Sequence, residues 1–122
     1  MSKATTKKLA EFARKLLALG QTYPEAAVTH PWGETALGVR GKNFLFLREE
    51  NGVVSFSVKL PHSANQALAL PFTAPTGYGL GRHGWITCTL DDIPKDFEAQ
   101  CHSWLRESYM AVAPKSLSKT IS

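Results

Sequence analysis

The sequence predicts a two-layer α+β fold in which helices cover one face of an antiparallel five-stranded sheet. Two observations carry this prediction. Apolar residues repeat with the period of a helix near both ends of the chain, over residues 9–19 and 97–112. Between them, short stretches of alternating apolar and polar residues are separated by turn residues, which is typical of antiparallel strands. The predicted order of elements is α-β-β-β-α-β-β-α.

The first half of the chain is predicted to form one helix and a three-stranded meander. The helix is predicted to end at Gly20, and residues 23–33, which contain two prolines, are predicted to be a loop. Three strands follow, near residues 35–40, 43–48 and 53–60. The turn Asn51-Gly52 is a strong hairpin signal, because a type I′ turn needs positive φ at both positions.

The second half is predicted to form a short helix, two strands and a long helix. Ser63 and Gln66 match a capping box for the short helix. Residues 71–84 are rich in glycine and proline and leave room for one short strand, whereas residues 85–90 alternate clearly. Asp91 and Asp92 are candidate N-caps of the last helix, after which the chain is predicted to fray.

The length of 122 residues fits one domain, residues 1–122, with basic, flexible tails at 1–6 and 115–122. No apolar run approaches the roughly 20 residues that cross a bilayer. Charged residues also interrupt the N-terminal segment where a signal peptide would have its apolar core. We therefore expect a cytoplasmic protein with no membrane partner. Cys88 and Cys101 lie in apolar patterns and are predicted to be reduced core residues.

The net charge of +4 belongs mainly to the ends of the chain. Three lysines before residue 9 and two after residue 113 face no acid in their own segments. Within the body, residues 40–85 hold five basic and two acidic residues, whereas residues 86–113 hold two basic and five acidic ones. We expect a basic sheet region backed by an acidic C-terminal helix, which favours an anionic partner on one side only.

The chain contains no recognisable catalytic, metal-binding or cofactor-binding motif. Its histidines and cysteines lack the spacing of metal sites, and Ser108 lacks a GxSxG elbow. The acids at positions 91, 92 and 96 are typical of a helix N-terminus. We therefore predict no enzyme activity, no cofactor and no metal.

Residues 77–84 form a glycine-rich segment, GYGLGRHG. The segment lacks the Lys-Ser/Thr of a P-loop, and it precedes a strand instead of following one, so neither nucleotide motif applies. Two interpretations stay open. The segment is either the turn of a hairpin or a loop whose backbone approaches an anion, with Arg82 and His83 as donors.

Two other positions also leave alternatives open. Trp32, in the rigid corner His30-Pro31-Trp32-Gly33, either fills the core or stacks at an exposed site. Lys59 lies in an otherwise apolar strand. It either faces solvent or points into a cleft, where it would bind phosphate or carboxylate.

These segments resemble the MmcQ/YjbR family of small bacterial proteins. The matching stretches cover nearly the whole chain in the right order: YPE at 23–25, HPWG at 30–33, GK at 41–42, VKLP at 58–61, GYGLGRHGW at 77–85, ESY at 107–109 and APK at 113–115. The resemblance implies the fold given above, as in YjbR-like and secretion-chaperone-like domains. It also implies DNA binding, with no established catalytic residues.

Nine matched positions are therefore candidates for a nucleic-acid or anion site: His30, Trp32, Lys42, Lys59, Tyr78, Arg82, His83, Trp85 and Tyr109. The expected partner is DNA. Two alternatives are a protein partner of a chaperone-like module and a small anionic ligand. The small ligand would lie in a pocket between the 30–32 corner and the 82–85 loop, where Lys59, Arg82 and His83 would converge.

Overall fold

Residues 3–121 are described by a computed structural model, apart from the side chain of Trp32. The elements in chain order are α1 (Lys3–Gln21), β1 (Ala27–Thr29), β2 (Thr35–Val39), β3 (Lys42–Glu50), β4 (Val53–Lys59), α2 (Ala64–Ala67), β5 (Thr73–Pro75), β6 (Trp85–Leu90), α3 (Phe97–Val112) and α4 (Lys115–Ser118). Two 3₁₀ turns, Pro31–Gly33 and Leu80–His83, precede β2 and β6.

The strands form one antiparallel sheet in the order β1-β2-β3-β4-β6-β5. This confirms the predicted α+β fold, but with six strands in place of five. The additional strand is β1, which lies within the segment predicted to be a loop. It has only three residues between two prolines, too few to show an alternating pattern, and it pairs with β2 alone.

Both long helices pack on the same face of the sheet. The ring centroid of Phe56 in β4 lies 6.2 Å from that of Phe12 in α1 and 6.5 Å from that of Phe97 in α3. Helix α1 ends at Gln21, one residue after the predicted stop at Gly20. A Cβ at Gly20 would come within 2.3 Å of a methyl group of Leu37, so the glycine lets the helix approach the sheet closely.

A bulge in β3 brings two consecutive residues, Phe44 and Leu45, into the core. The register between β2 and β3 shifts at Leu37/Gly38, opposite these residues, and both are fully buried. The hydroxyl of Ser108 in α3 donates to the Phe44 carbonyl at 2.6 Å and accepts from the Lys59 N–H at 2.8 Å. One buried side chain therefore ties α3 to the bulge and to the end of β4.

The helix starts differ from those predicted. Ser63 makes no side-chain cap bond, so the predicted capping box is wrong, and its hydroxyl donates to the Glu107 carboxylate instead. Helix α3 begins at Phe97, after Asp96, and Asp92 accepts from the N–H of its own neighbour Ile93. Asp91 and Asp92 are therefore not its N-caps.

The described parts of the two tails are helical. Residues 3–6 belong to α1, and residues 115–118 form α4 where the chain was predicted to fray. Arg106 of α3 donates to the Ile121 carbonyl, and Ser118 is buried. The C-terminal segment thus packs back against the last long helix. Within residues 3–121, no helix combines the length and the hydropathy needed to cross a membrane.

The structure confirms that both cysteines are free core residues. Burial raises the pKa of the Cys88 thiol to about 12. Burial also raises the pKa of Cys101, and the neighbouring Cys88 raises it further. Both thiols therefore stay protonated at neutral pH.

Replacing Ser108 by alanine should lower the free energy of unfolding by about 2–3 kcal/mol, because it leaves a buried carbonyl and a buried N–H without their partner. Urea denaturation followed by circular dichroism measures the change. The control is Ser103→Ala at an exposed position of the same helix, which should change stability by less than about 0.5 kcal/mol. Equal stabilities of the two variants would contradict the role given to Ser108.

The two thiols should resist a thiol-reactive disulfide reagent at pH 8 in the folded protein, since only the thiolate reacts and burial disfavours it. Both should react rapidly once the chain is unfolded in guanidinium chloride. Absorbance of the released thiolate gives the count. Rapid labelling of either cysteine without denaturant would contradict the buried, protonated state.

Candidate functional site

The sheet face that lacks the helices carries a row of polar and aromatic side chains. Phe46, Ser57 and Thr87 are register partners on β3, β4 and β6. Because Phe56 faces the helices and successive strand residues alternate, this row faces away from them. The ring of Phe46 also packs against that of Trp85, with centroids 5.5 Å apart.

A cleft of about 730 Å³ lies over this row, and we refer to it as the sheet-face cleft. Its floor is formed by the row and by Ser55. Its walls come from the segment before β2 and from the loop after β5. The lining residues are Pro31, Glu34, Phe46, Leu47, Arg48, Ser55, Ser57, Thr76, Gly77, Tyr78, Leu80 and Thr87.

Three hydroxyl groups of the cleft form a hydrogen-bonded chain. The Thr87 hydroxyl lies 2.7 Å from that of Ser57 and 2.9 Å from that of Thr76. Two bonds among three hydroxyls use two of the three protons, which leaves one donor and several lone pairs. The floor can therefore both donate a hydrogen bond to a bound group and accept hydrogen bonds from it.

Tyr78 lies at the rim of the cleft with its side chain fully exposed, at 106% relative accessibility. Its φ of 60° is in the left-handed region, which non-glycine residues seldom adopt. Among residues 3–121, leaving aside the side chain of Trp32, it is the one large hydrophobic side chain that is exposed.

The loop that carries Tyr78 joins β5 to β6 and is therefore the turn of a hairpin. Four of its N–H groups, those of Leu80, Gly81, Arg82 and Gly84, donate to carbonyls of residues 76–81. Those groups are not free for an anion, so the structure favours the hairpin interpretation. Anion binding by this loop would depend on its side chains.

Five basic residues lie at one end of the sheet, which we call the basic end. Strand β3 begins where β4 ends, and Lys59 pairs with Trp85 at the start of β6. The turn before β6 and the segment after β4 lie at this same end. The five residues are Lys42, Lys59, His62, Arg82 and His83.

The cations near the sheet differ in whether a carboxylate neutralises them. Arg40 donates two hydrogen bonds of 2.8 Å to Glu25, which hold the pKa of that carboxyl below its usual value. Arg48 pairs with Glu50 at 3.2 Å. Within residues 3–121, no ion pair engages the three candidate cations, which are Lys42, Lys59 and Arg82. Their charges are therefore open to an external anion.

A second, smaller depression of about 310 Å³ lies at the basic end, next to the segment after β4. His62, Arg82 and His83 contribute to its lining. The Arg82 guanidinium also lies against Gly79, with a nitrogen 3.7 Å from where a Cβ on that glycine would stand. Gly79 lies between Tyr78 and Leu80, which both line the sheet-face cleft. Arg82 therefore connects the two concave regions.

The sequence predicts a pocket between the 30–32 corner and the 82–85 loop, whereas the sheet-face cleft lies against residues 76–80 and not against residues 82–85. Its walls are residues 31–34 and 76–80, and its floor is made of hydroxyls and a phenyl ring. Lys59 lies on the same face as Ser57 but lines neither depression, and Arg82 and His83 line the smaller one. The predicted convergence of all three cations in one pocket is not what the structure shows.

A sequence model of a protein family, described as YjbR, matches residues 21–111. The chain belongs to the YjbR family.

Two solved structures share this fold. One is a Deinococcus radiodurans protein described as a DUF419 domain, with a TM-score of 0.71 and 21% identity, over 88% of this chain and 86% of that one. The other is a Pseudomonas syringae protein, with a TM-score of 0.62 and 19% identity, over 82% of this chain and 97% of that one. At these identities the likeness concerns the fold alone. No curated protein matches the sequence.

In this YjbR domain the segment Glu107-Ser108-Tyr109 is structural. The Glu107 carboxylate accepts from the N–H groups of His62 and Ser63, at 2.9 and 3.0 Å. The Tyr109 hydroxyl donates to the Pro24 carbonyl at 2.9 Å, and the residue is fully buried. Burial also raises the pKa of this phenol. Tyr109 was a binding candidate, but in this structure it has no surface for a ligand.

Three other candidates add no cation to the basic end. Trp85 is 8% exposed and supports Phe46 without reaching far into solvent. His30 is exposed beside Thr35, in the segment before β2 and thus at the opposite end of that strand from Lys42. The side chain of Trp32 lies outside the described part of the structure. No group of three or more histidines, cysteines and acids in the described residues could hold a metal ion.

The hydroxyl chain of the cleft was not predicted, although its signal is present in the sequence. Ser55, Ser57 and Lys59 alternate with apolar residues in β4, as Thr87 and Thr89 do in β6. Each alternation indicates one polar face. What the sequence does not indicate is the register that places Ser57 beside Thr87, or the loop that brings Thr76 to them.

Tyr109→Phe should lower the free energy of unfolding by about 1 kcal/mol, because the Pro24 carbonyl loses a hydrogen bond while the ring packing remains. It should leave any ligand affinity unchanged, since the ring is buried. Thermal melting and a binding titration on the same sample test both statements. A large loss of affinity with unchanged stability would contradict the structural role.

Proposed function

We propose that this YjbR domain binds nucleic acid through the basic end of its sheet. The observation that carries the proposal is that Lys42, Lys59 and Arg82 come from three separate segments to one end and remain without carboxylate partners. The other two sheet-region cations, Arg40 and Arg48, are held by Glu25 and Glu50. Lysine and arginine side chains of this kind supply the phosphate contacts that dominate affinity for nucleic acids.

The surroundings of the three cations support the same proposal. His62 and His83 are exposed at the same end and add hydrogen-bond donors. The acidic residues of the sheet region, Glu49 and Glu50, lie at the far end of β3, beside the Asn51-Gly52 turn. The acidic residues therefore lie at one end of the strands, and the unpaired cations lie at the other, which is the basic end.

The alternative of a chaperone-like module draws less support from the structure. Such a module would be expected to expose a sizeable apolar patch. In the described residues, Tyr78 is the single exposed large hydrophobic side chain, and one ring does not make a patch. A small anionic ligand in the second depression could use Arg82 and His83, but without Lys59.

Neutralising the basic end should remove most nucleic-acid binding. In the triple variant K42A/K59A/R82A, the affinity for a 20-base-pair duplex at low salt should fall at least tenfold. The slope of log K against log salt should become shallower by about 2.7, because three phosphate contacts are lost. Fluorescence anisotropy of a labelled duplex at several salt concentrations measures both.

The matched control, K3Q/K7Q/K8Q, also removes three positive charges, but from the N-terminal segment of the chain. These lysines are exposed or terminal in α1 and should contribute only non-specific attraction. If this control loses as much affinity and slope as the triple variant, binding follows the net charge of the chain and the basic end is not a distinct binding surface. Absence of binding by the unaltered chain at low salt to both the duplex and a single strand of the same length would end the proposal.

Glu25→Gln should strengthen binding, because it releases Arg40 beside Lys42 from its carboxylate partner. We expect a two- to tenfold rise in affinity for the same duplex and a salt slope steeper by about 0.9. The control is Glu50→Gln, which releases Arg48 at the opposite end of β3 and should change duplex affinity little. Equal gains from both variants would indicate a general effect of net charge.

A further inference from the structure

We infer that the nucleic acid bound by this domain is single-stranded, and that one of its bases enters the sheet-face cleft. This inference rests on the proposed function and adds to it the strand state and the place of a base. Phosphate contacts alone would not require a single strand or a base in the cleft. Both follow from the chemistry of the cleft and from the position of the cleft beside the basic end.

The floor of the cleft offers the two surfaces that a nucleobase needs. The partly buried ring of Phe46 provides an apolar face for stacking. The chain of hydroxyls from Ser57, Thr87 and Thr76 provides one free donor and several acceptors. The edges of all four bases combine acceptors with donors, so a floor with both functions suits a base without selecting one kind.

The size of the cleft is in the range of sites for small organic ligands, roughly 300–1,000 Å³. Its volume of about 730 Å³ admits a base together with part of its sugar. Tyr78 at the rim presents a free ring on which a neighbouring base can stack. Aromatic platforms of this kind are how proteins hold single strands with little sequence preference.

Cations lie where the backbone of such a strand would run. Lys59 follows Ser57 by two residues on the same face of β4, about 7 Å further along the strand. The Arg82 guanidinium lies against Gly79, next to Tyr78 of the loop that forms one wall of the cleft. A base over Ser57 and Thr87 would thus have two phosphate-binding cations on the side of the cleft that faces the basic end.

A duplex cannot use this arrangement, because its bases are stacked and paired and only their edges are accessible in the grooves. The floor of the cleft lies between two walls, and a base reaches it only when it is turned out of the stack. Unstacking is least costly when the strand is already single. The cleft therefore favours a single strand, whereas the basic end alone would bind either form.

The test compares three labelled oligonucleotides of equal length by fluorescence anisotropy at low salt: a mixed single strand, its duplex, and a single strand of abasic residues. The abasic strand keeps the phosphates and lacks the bases. The mixed single strand should bind at least about tenfold more tightly than the other two. Its salt slope should match that of the abasic strand, because both present the same charge spacing.

Two variants locate the base contact. Tyr78→Asn removes the ring at a position whose positive φ asparagine tolerates, so folding should be unaffected. Thr87→Val removes the central hydroxyl with little change in shape. Each should weaken binding of the mixed single strand severalfold to tenfold and leave the duplex and the abasic strand unchanged. Melting temperatures check that both variants are folded.

The outcomes separate this inference from the proposed function. If the mixed single strand, the duplex and the abasic strand bind equally, and neither variant changes that, nucleic-acid binding stands and the base in the cleft is refuted. If none of the three oligonucleotides binds the unaltered chain, both proposals fail. If Thr87→Val unfolds the domain, the result for Tyr78→Asn and the abasic comparison still decide.

Discussion

The hydroxyl of Ser108 makes the contact on which the arrangement of the layers depends. It reaches from the C-terminal half of α3 to the carbonyl of the β3 bulge and to the last N–H of β4. The bulge would otherwise leave buried backbone groups without partners, which is costly in a core. With them satisfied, Phe44 and Leu45 both enter the helix-facing core, and α3 is fixed over the centre of the sheet.

The same bulge explains why the other face of the sheet can form a cleft. Beyond it the alternation resumes, so that Phe46 turns away from the helices and lies beside Ser57 and Thr87. The sequence predicts the polar face of β4 and that of β6, since each alternates clearly. It does not predict their alignment, because the register of β4 on β6 is set by pairing between segments that are about 30 residues apart in the chain.

Local sequence patterns predict the helices and strands better than they predict the caps of the helices, because the capping side chains have other partners in the folded chain. Ser63 fits a capping box by spacing, yet it bonds to Glu107, 44 residues away. Gly20 fits a helix stop, and α1 does end one residue later, but the position also needs a glycine because Leu37 occupies the space of a side chain. A local pattern indicates what a residue is able to do, and tertiary contacts decide which partner it takes.

The pairing of charged side chains is also decided by tertiary contacts and not by the local sequence. The segment 40–85 is basic by count, but two of its arginines are held by carboxylates, and only the folded arrangement identifies which cations remain open. Glu107 adds a further link between scaffold and site. Its carboxylate holds the backbone at His62 and Ser63, so the acid that α3 brings to the basic end is engaged in shaping it. The segment 107–109, which is one of the stretches that resemble the family, therefore positions the basic end without lining it.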